Sequence, residues 1–178
     1  MSSLAFLRAT VLTPLERVED AALILRGGTI AWVGPRGAAP AGLLGSVPQA
    51  ELPGDLILPG LIDLHLNGAG SIDLREADPP GVLSLARSLA EGGTTAFLPT
   101  LISSPHGCLL RALGALAQAA ERQRQGPGKG ARILGVHLEG PYLNPAMRGA
   151  HPAEALRPAS RQEVEEYLRA AGATAHPG

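Results

Sequence analysis

The chain has 178 residues, 45% of them hydrophobic and 17% charged, a composition that supports a packed core and excludes a disordered chain. Fifteen basic residues against sixteen acidic ones leave a net charge of -1, which excludes the broad basic field of a nucleic-acid binder. The single cysteine, Cys108, excludes an intrachain disulfide. No run reaches the roughly 18 apolar residues of a membrane span, and Met1 to Leu15 lacks a signal-peptide pattern, so the expected compartment is the cytoplasm.

The first part of the chain reads as short strands and turns. Leu4 to Leu12, Ala21 to Leu25 and Ile30 to Val33 are apolar runs. Gly27-Gly28 between the last two predicts a hairpin. Gly34 to Gly45 reads as a loop, and Leu56 to Leu58 is a last short run before Pro59-Gly60. Residues 1–58 are thus expected to form strands of a small β layer, too few to close a core alone.

From Pro59 onward strands and helices alternate. Leu61 to Leu66 reads as a strand. Pro79 to Glu91 reads as a helix with Val82, Leu85, Ala86 and Leu89 on one face, ended by Gly92-Gly93. Thr94 to Leu98 is a β-prone run stopping at Pro99, and Pro105 to Gln125 a longer helix. Gly126 to Gly130 breaks the chain before a third strand, Ile133 to Leu138. Ser160, with Glu163 three residues on, predicts a capping box for a helix whose buried stripe is Val164, Tyr167, Leu168 and Ala171. Repeated βα units imply an α/β fold with a parallel sheet, either doubly wound or a (β/α)8 barrel. A barrel needs about 250 residues. If the fold is a barrel, residues 59–178 hold about its first three βα units, less than half of it.

In such folds sites are built at the C-terminal ends of strands. Alternation places Asp63, His65 and Asn67 on one face of their strand. His65 can ligate a metal or be a hydrogen-bonded core histidine. His137 and Glu139 share a face at the end of the third strand. Glu139 can bind a divalent metal, act as a general base, or sit at the surface of the Gly140-Pro141 turn. The segment Tyr142 to His151 suits a substrate-contacting loop or a plain connection. Thr94, Thr95 and Thr100 read as ordinary strand threonines, Cys108 as a small buried hydrophobe, and His106 and His176 as exposed. No phosphate-binding glycine fingerprint is present.

Three blocks carry a resemblance. They are Leu58-Pro59-Gly60-Leu61-Ile62-Asp63-Leu64-His65-Leu66-Asn67-Gly68, Gly92-Gly93-Thr94-Thr95-Ala96-Phe97-Leu98-Pro99-Thr100-Leu101, and Leu134-Gly135-Val136-His137-Leu138-Glu139-Gly140-Pro141-Tyr142-Leu143-Asn144 followed by Gly149-Ala150-His151-Pro152. In this order they resemble the N-acetylglucosamine-6-phosphate deacetylases of the amidohydrolase superfamily. The third block is the most specific, and the first is shared across the superfamily. The resemblance covers essentially the whole chain but only the N-terminal part of the family's length.

The resemblance implies a small β-sandwich packed on a metal-dependent (β/α)8 TIM barrel. It implies hydrolysis of the acetamide of N-acetylglucosamine 6-phosphate, a small phosphorylated amino sugar, to glucosamine 6-phosphate and acetate. Glu139 matches the family's carboxylate metal ligand, and His65 stands where some relatives have the first of a His-x-His pair, whose second position here is Asn67. One divalent ion per subunit, Zn²⁺ or Fe²⁺, is expected. Ala150 and His151 match the segment that contacts the sugar. The general acid/base Asp, two His ligands and the phosphate-binding groups are expected beyond residue 178, some of the last from the second subunit of a homodimer. The chain alone is expected to be inactive. Two other readings stay open, a different cyclic amidohydrolase on the same barrel and a non-catalytic truncated product.

Overall fold

The computed structural model of the chain describes residues 3–126 and 129–172. It divides into two compact units, Met1–Pro59 and Gly60–Gly178.

The first unit is a five-stranded mixed sheet. Strands β1 (Leu4–Leu12), β2 (Arg17–Arg26) and β3 (Thr29–Pro35) form an antiparallel meander. The hairpin expected at Gly27-Gly28 joins β2 to β3. On the other side β1 pairs in parallel with β4 (Gln49–Glu51) and, further along, with β5 (Leu56–Ile57). Alternation along β1 buries Ala5, Leu7, Ala9 and Val11. The segment expected as a loop also holds a 3-10 turn, Arg36–Ala38, and a short helix, α1 (Ala41–Leu44). Helix α1 forms because Leu43 and Leu44 pack on the cluster of Ala5, Leu7, Ala22 and Ile24.

The second unit alternates strands and helices. Strand β6 (Leu61–Leu66) leads to a small hairpin, β7 (Gly68–Ala69) and β8 (Ile72–Asp73), and then to α2 (Pro79–Glu91). Asp78 caps α2, its carboxylate accepting the Gly81 N–H at 2.8 Å. Strand β9 (Thr94–Ile102) is followed by α3 (His106–Gln125), the short strands β10 (Arg132–Ile133) and β11 (His137–Glu139), and α4 (Arg161–Ala170). Strand β9 is central, pairing in parallel with β6 on one side and with β10 and β11 on the other. The core lies between the sheet and its helices: Val82 and Leu85 of α2, Leu101 of β9, and Leu109, Leu113 and Leu116 of α3 are all buried.

Four expectations are corrected. Strand β9 does not stop at Pro99 but runs on to Ile102. The missing proline N–H costs little there, because Pro99 meets β6 just past a register shift and falls between the β10 and β11 ladders on the other side. The third strand is two short strands, parted at Leu134 to Val136. The stripe of α4 is buried only at Tyr167, while Val164 and Leu168 are 41% and 46% exposed. They line an open apolar groove of about 490 Å³ with Leu113, Leu116, Val136 and Leu138. The capping box of α4 is half formed. Ser160 Oγ accepts the Glu163 N–H at 3.3 Å, but the Glu163 carboxylate turns away to Arg157 and Tyr142.

Candidate active site

The ends of β6, β9 and β11 bring three segments together around one carboxylate. Glu139 is the last residue of β11, opposite Ile102 in the β9 register. Its Oε2 accepts from His65 Nε2 at 3.2 Å and from the Asn67 amide at 3.4 Å. On its other oxygen, His151 Nε2 lies 3.6 Å from Oε1. His65, Asn67, Glu139 and His151 are therefore one cluster, the first three from strand ends and His151 from the loop after β11. Alternation along β6 is what aims His65 and Asn67 the same way.

Glu139 carries its charge readily. Burial works against ionisation, but the Asn67 amide and the His65 and His151 imidazoles outweigh it and hold the carboxyl below its ordinary value.

His151 is not a surface histidine. Only 8% of it is exposed, and its Nδ1 lies 2.8 Å from the hydroxyl of Ser103. The Ser103 hydroxyl also lies 3.5 Å from the Glu139 carbonyl, so it bridges the imidazole and the end of β11. The His151 carbonyl accepts from Arg148 Nη1 at 2.6 Å. Ala150 beside it is exposed. His137 sits under His65, ring centroids 5.2 Å apart and edge to face.

Two residues of the cluster were missed or passed over in the sequence. Ser103 was missed because the strand was ended at Pro99. Carried through the proline, β9 places Ser103 and Ser104 just past its C-terminal end. Thr100 was read as an ordinary strand threonine. It is completely buried, its Oγ1 accepts the Leu66 N–H at 3.2 Å, and it lies 3.4 Å from His137 Nδ1. His106 is also not free at the surface. Its ring bonds to the Tyr167 hydroxyl at 3.0 Å and to Glu166 at 2.7 Å. His176 lies outside the described residues. Cys108, expected to be buried, is only half-buried at the start of α3, and Arg111 donates to its sulfur.

The donor chemistry suits a divalent metal in part. A tetrahedral ion with bonds of about 2.0–2.2 Å spaces its ligands about 3.4 Å apart, close to the 3.2 and 3.6 Å seen from Glu139 to His65 and His151. The two imidazoles, however, approach different oxygens of the carboxylate. Among the described residues no group of three His, Cys, Asp or Glu side chains closes on one point. Glu139 with His65 is thus a two-donor pair needing further ligands. To ligate, His65 Nε2 must give up the proton it now shares with Glu139.

The chain is similar to named enzymes both in sequence and in fold. N-acetylglucosamine-6-phosphate deacetylase of Bacillus subtilis is 34% identical over 125 residues, covering 70% of this chain and 31% of that protein. N-acetylgalactosamine-6-phosphate deacetylase of Escherichia coli O157:H7 is 35% identical over 122 residues, covering 68% of this chain and 31% of that protein. The chain thus spans less than a third of the length of these relatives. The crystal structure of N-acetylglucosamine-6-phosphate deacetylase from Pasteurella multocida superposes with a TM-score of 0.78 at 27% identity, covering 96% of this chain and 42% of that one. The Amidohydrolase family model matches residues 56–177, the span that holds β6, β9, β11 and every residue around Glu139, and on that match the chain belongs to the amidohydrolase family.

Proposed function

We propose that this chain is the N-terminal part of a metal-dependent deacetylase. The enzyme hydrolyses the acetamide of N-acetylglucosamine 6-phosphate, giving glucosamine 6-phosphate and acetate. One observation carries the reading: Glu139, at the end of a parallel strand, is flanked by His65 and His151 from two other segments, within a family whose named relatives are amino-sugar phosphate deacetylases. In this reading β6, β9 and the β10–β11 segment are the first strands of a (β/α)8 barrel, and residues 1–58 contribute strands of a small β-sandwich. The protein works in the cytoplasm as a homodimer.

Glu139 and His65 would hold a divalent ion, Zn²⁺ or Fe²⁺, with further ligands from later strands. When bound, such an ion lowers the pKa of its water to near 7 and polarises a carbonyl. His151, held in place by the Ser103 hydroxyl, contacts the sugar or its acetamide. Ala150 offers a small exposed surface against the ring. Asn67 keeps Glu139 ionised and aimed.

The test uses the natural polypeptide carrying this chain. Acetate release from N-acetylglucosamine 6-phosphate is expected, lost on chelation and restored by Zn²⁺ or Fe²⁺. Glu139→Gln is expected to lower kcat/KM by at least about a hundredfold, as loss of a metal-bound or charge-stabilising group does. N-acetylgalactosamine 6-phosphate serves as the competing substrate, given the second relative's name. Cleavage of neither sugar phosphate, with turnover of a cyclic amide instead, would overturn the assignment.

A further inference from the structure

The loop between Glu139 and α4 contains no strand and no α-helix, only two 3-10 turns, Pro145–Met147 and Ala153–Ala155. His151 projects from it. An irregular segment of this kind holds a side chain in place only if its ends are fixed.

Both ends are fixed on one carboxylate. At the entry, the Tyr142 hydroxyl donates to Glu163 Oε2 at 2.8 Å. At the exit, Arg157 Nε donates to both Glu163 oxygens, at 2.8 and 3.0 Å. Arg157 spends its other donors on the same junction, reaching the Ser104 carbonyl at 3.2 Å, the Ala155 carbonyl at 2.8 Å and the Tyr167 hydroxyl at 2.6 Å. Ser104 follows Ser103, the partner of His151, so the clamp is tied to the strand end that orients the imidazole. Glu163 itself makes no hydrogen bond to His65, Glu139 or His151 among the described residues.

We propose that Glu163 is a positioning residue: by holding Tyr142 and Arg157 together it closes the loop and sets His151 against Glu139. The half-formed capping box supports this. Glu163 gives up the reciprocal bond to its own helix start, and its carboxylate serves the loop instead. Burial opposes its charge, but Arg157 and Tyr142 hold its carboxyl below the ordinary value. Burial and the same carboxylate push the Tyr142 hydroxyl up to about 12. The single Nε–H shared between both Glu163 oxygens is a charge-assisted contact, stronger than a neutral hydrogen bond.

The inference rests on the reading that His151 contacts substrate, and the experiment separates the two. Glu163→Gln and Tyr142→Phe are made in the natural polypeptide carrying this chain. Asp78→Ala, which removes the cap of α2, serves as a control that lowers stability alone. Readouts are KM and kcat for N-acetylglucosamine 6-phosphate, and the imidazole nitrogen resonances of His151 and His65. Both clamp variants are expected to raise KM about fivefold with kcat little changed, and to move the His151 ring resonances but not those of His65. The control is expected to move neither. Clamp variants that only melt earlier, as the control does, would overturn the proposal. If His151→Asn leaves KM unchanged, the substrate-contact reading falls. The His151 resonances then decide by themselves whether Glu163 holds that ring. Should Glu163→Gln fail to fold, Tyr142→Phe, which loses one hydroxyl, gives the same answer.

Discussion

Gly140 follows Glu139 at φ +97°, a conformation that L side chains rarely adopt. A Cβ there would overlap the Ser103 hydroxyl and come within 3.5 Å of His151 Nδ1. The position therefore serves two ends: it turns the chain sharply after the carboxylate, and it leaves room for the Ser103–His151 pair. Gly149, two residues before His151, has φ +56° with nothing within 4 Å of a built Cβ. The two glycines separate backbone strain from steric conflict. Gly149→Ala is expected to cost about 1 kcal/mol, the ordinary left-handed penalty. Gly140→Ala should cost at least about 2 kcal/mol more, through added overlap and a displaced Ser103. Urea midpoints of the two variants, measured side by side, check the difference. Equal losses would mean that the Ser103–His151 pair is not packed as described.

At the scale of elements, β9 organises the site. It pairs with β6 through Pro99 and with β11 through Thr100 to Ile102. Thr100 is where the two sides meet: its hydroxyl accepts from the backbone of β6 and lies against His137 of β11. Thr100→Val keeps the shape and removes the acceptor, leaving the Leu66 N–H unsatisfied. The expected cost is about 1–3 kcal/mol in chemical denaturation. Thr95→Val, on the same strand, removes only an exposed hydrogen bond to the Leu61 carbonyl, which water can replace, and should cost less, about 0.5 kcal/mol. Much of this element was legible in the sequence. The run from Thr94 is β-prone, alternation aims His65 and Asn67 together, and the Gly140-Pro141 turn marks Glu139. What hid the rest was Pro99. A proline reads as a stop when the neighbouring ladders are unknown, and only the register shifts show why it is tolerated. Ser103 and the buried state of Thr100 were lost with it. The Glu163 network was hidden for a different reason. Ser160 and Glu163 have the spacing of a capping box, and nothing local says that the carboxylate prefers an arginine on the other side of the helix start.

At the scale of the molecule, the second unit carries more apolar surface than its own elements cover. Leu61, Ile62 and Leu64 of β6 are 57%, 61% and 62% exposed, all on a strand that pairs only with β9 among the described residues. The periodicity of α4 reads as a buried stripe, yet Val164 and Leu168 open onto the groove instead. Sequence and structure diverge here for one reason: these side chains have the composition of core residues without neighbours to bury them. A net charge of -1 offers little repulsion between copies. An apolar strand with a free edge is a template for pairing with another chain. The 178-residue chain by itself is therefore expected to self-associate, and Ile62→Lys, which charges that strand, to reduce the association. Sedimentation velocity across a concentration series checks both. A monodisperse 18.2 kDa monomer that melts cooperatively would show that β6 and the α4 groove are stable uncovered. That outcome would favour a self-sufficient, non-catalytic chain over the first strands of a barrel.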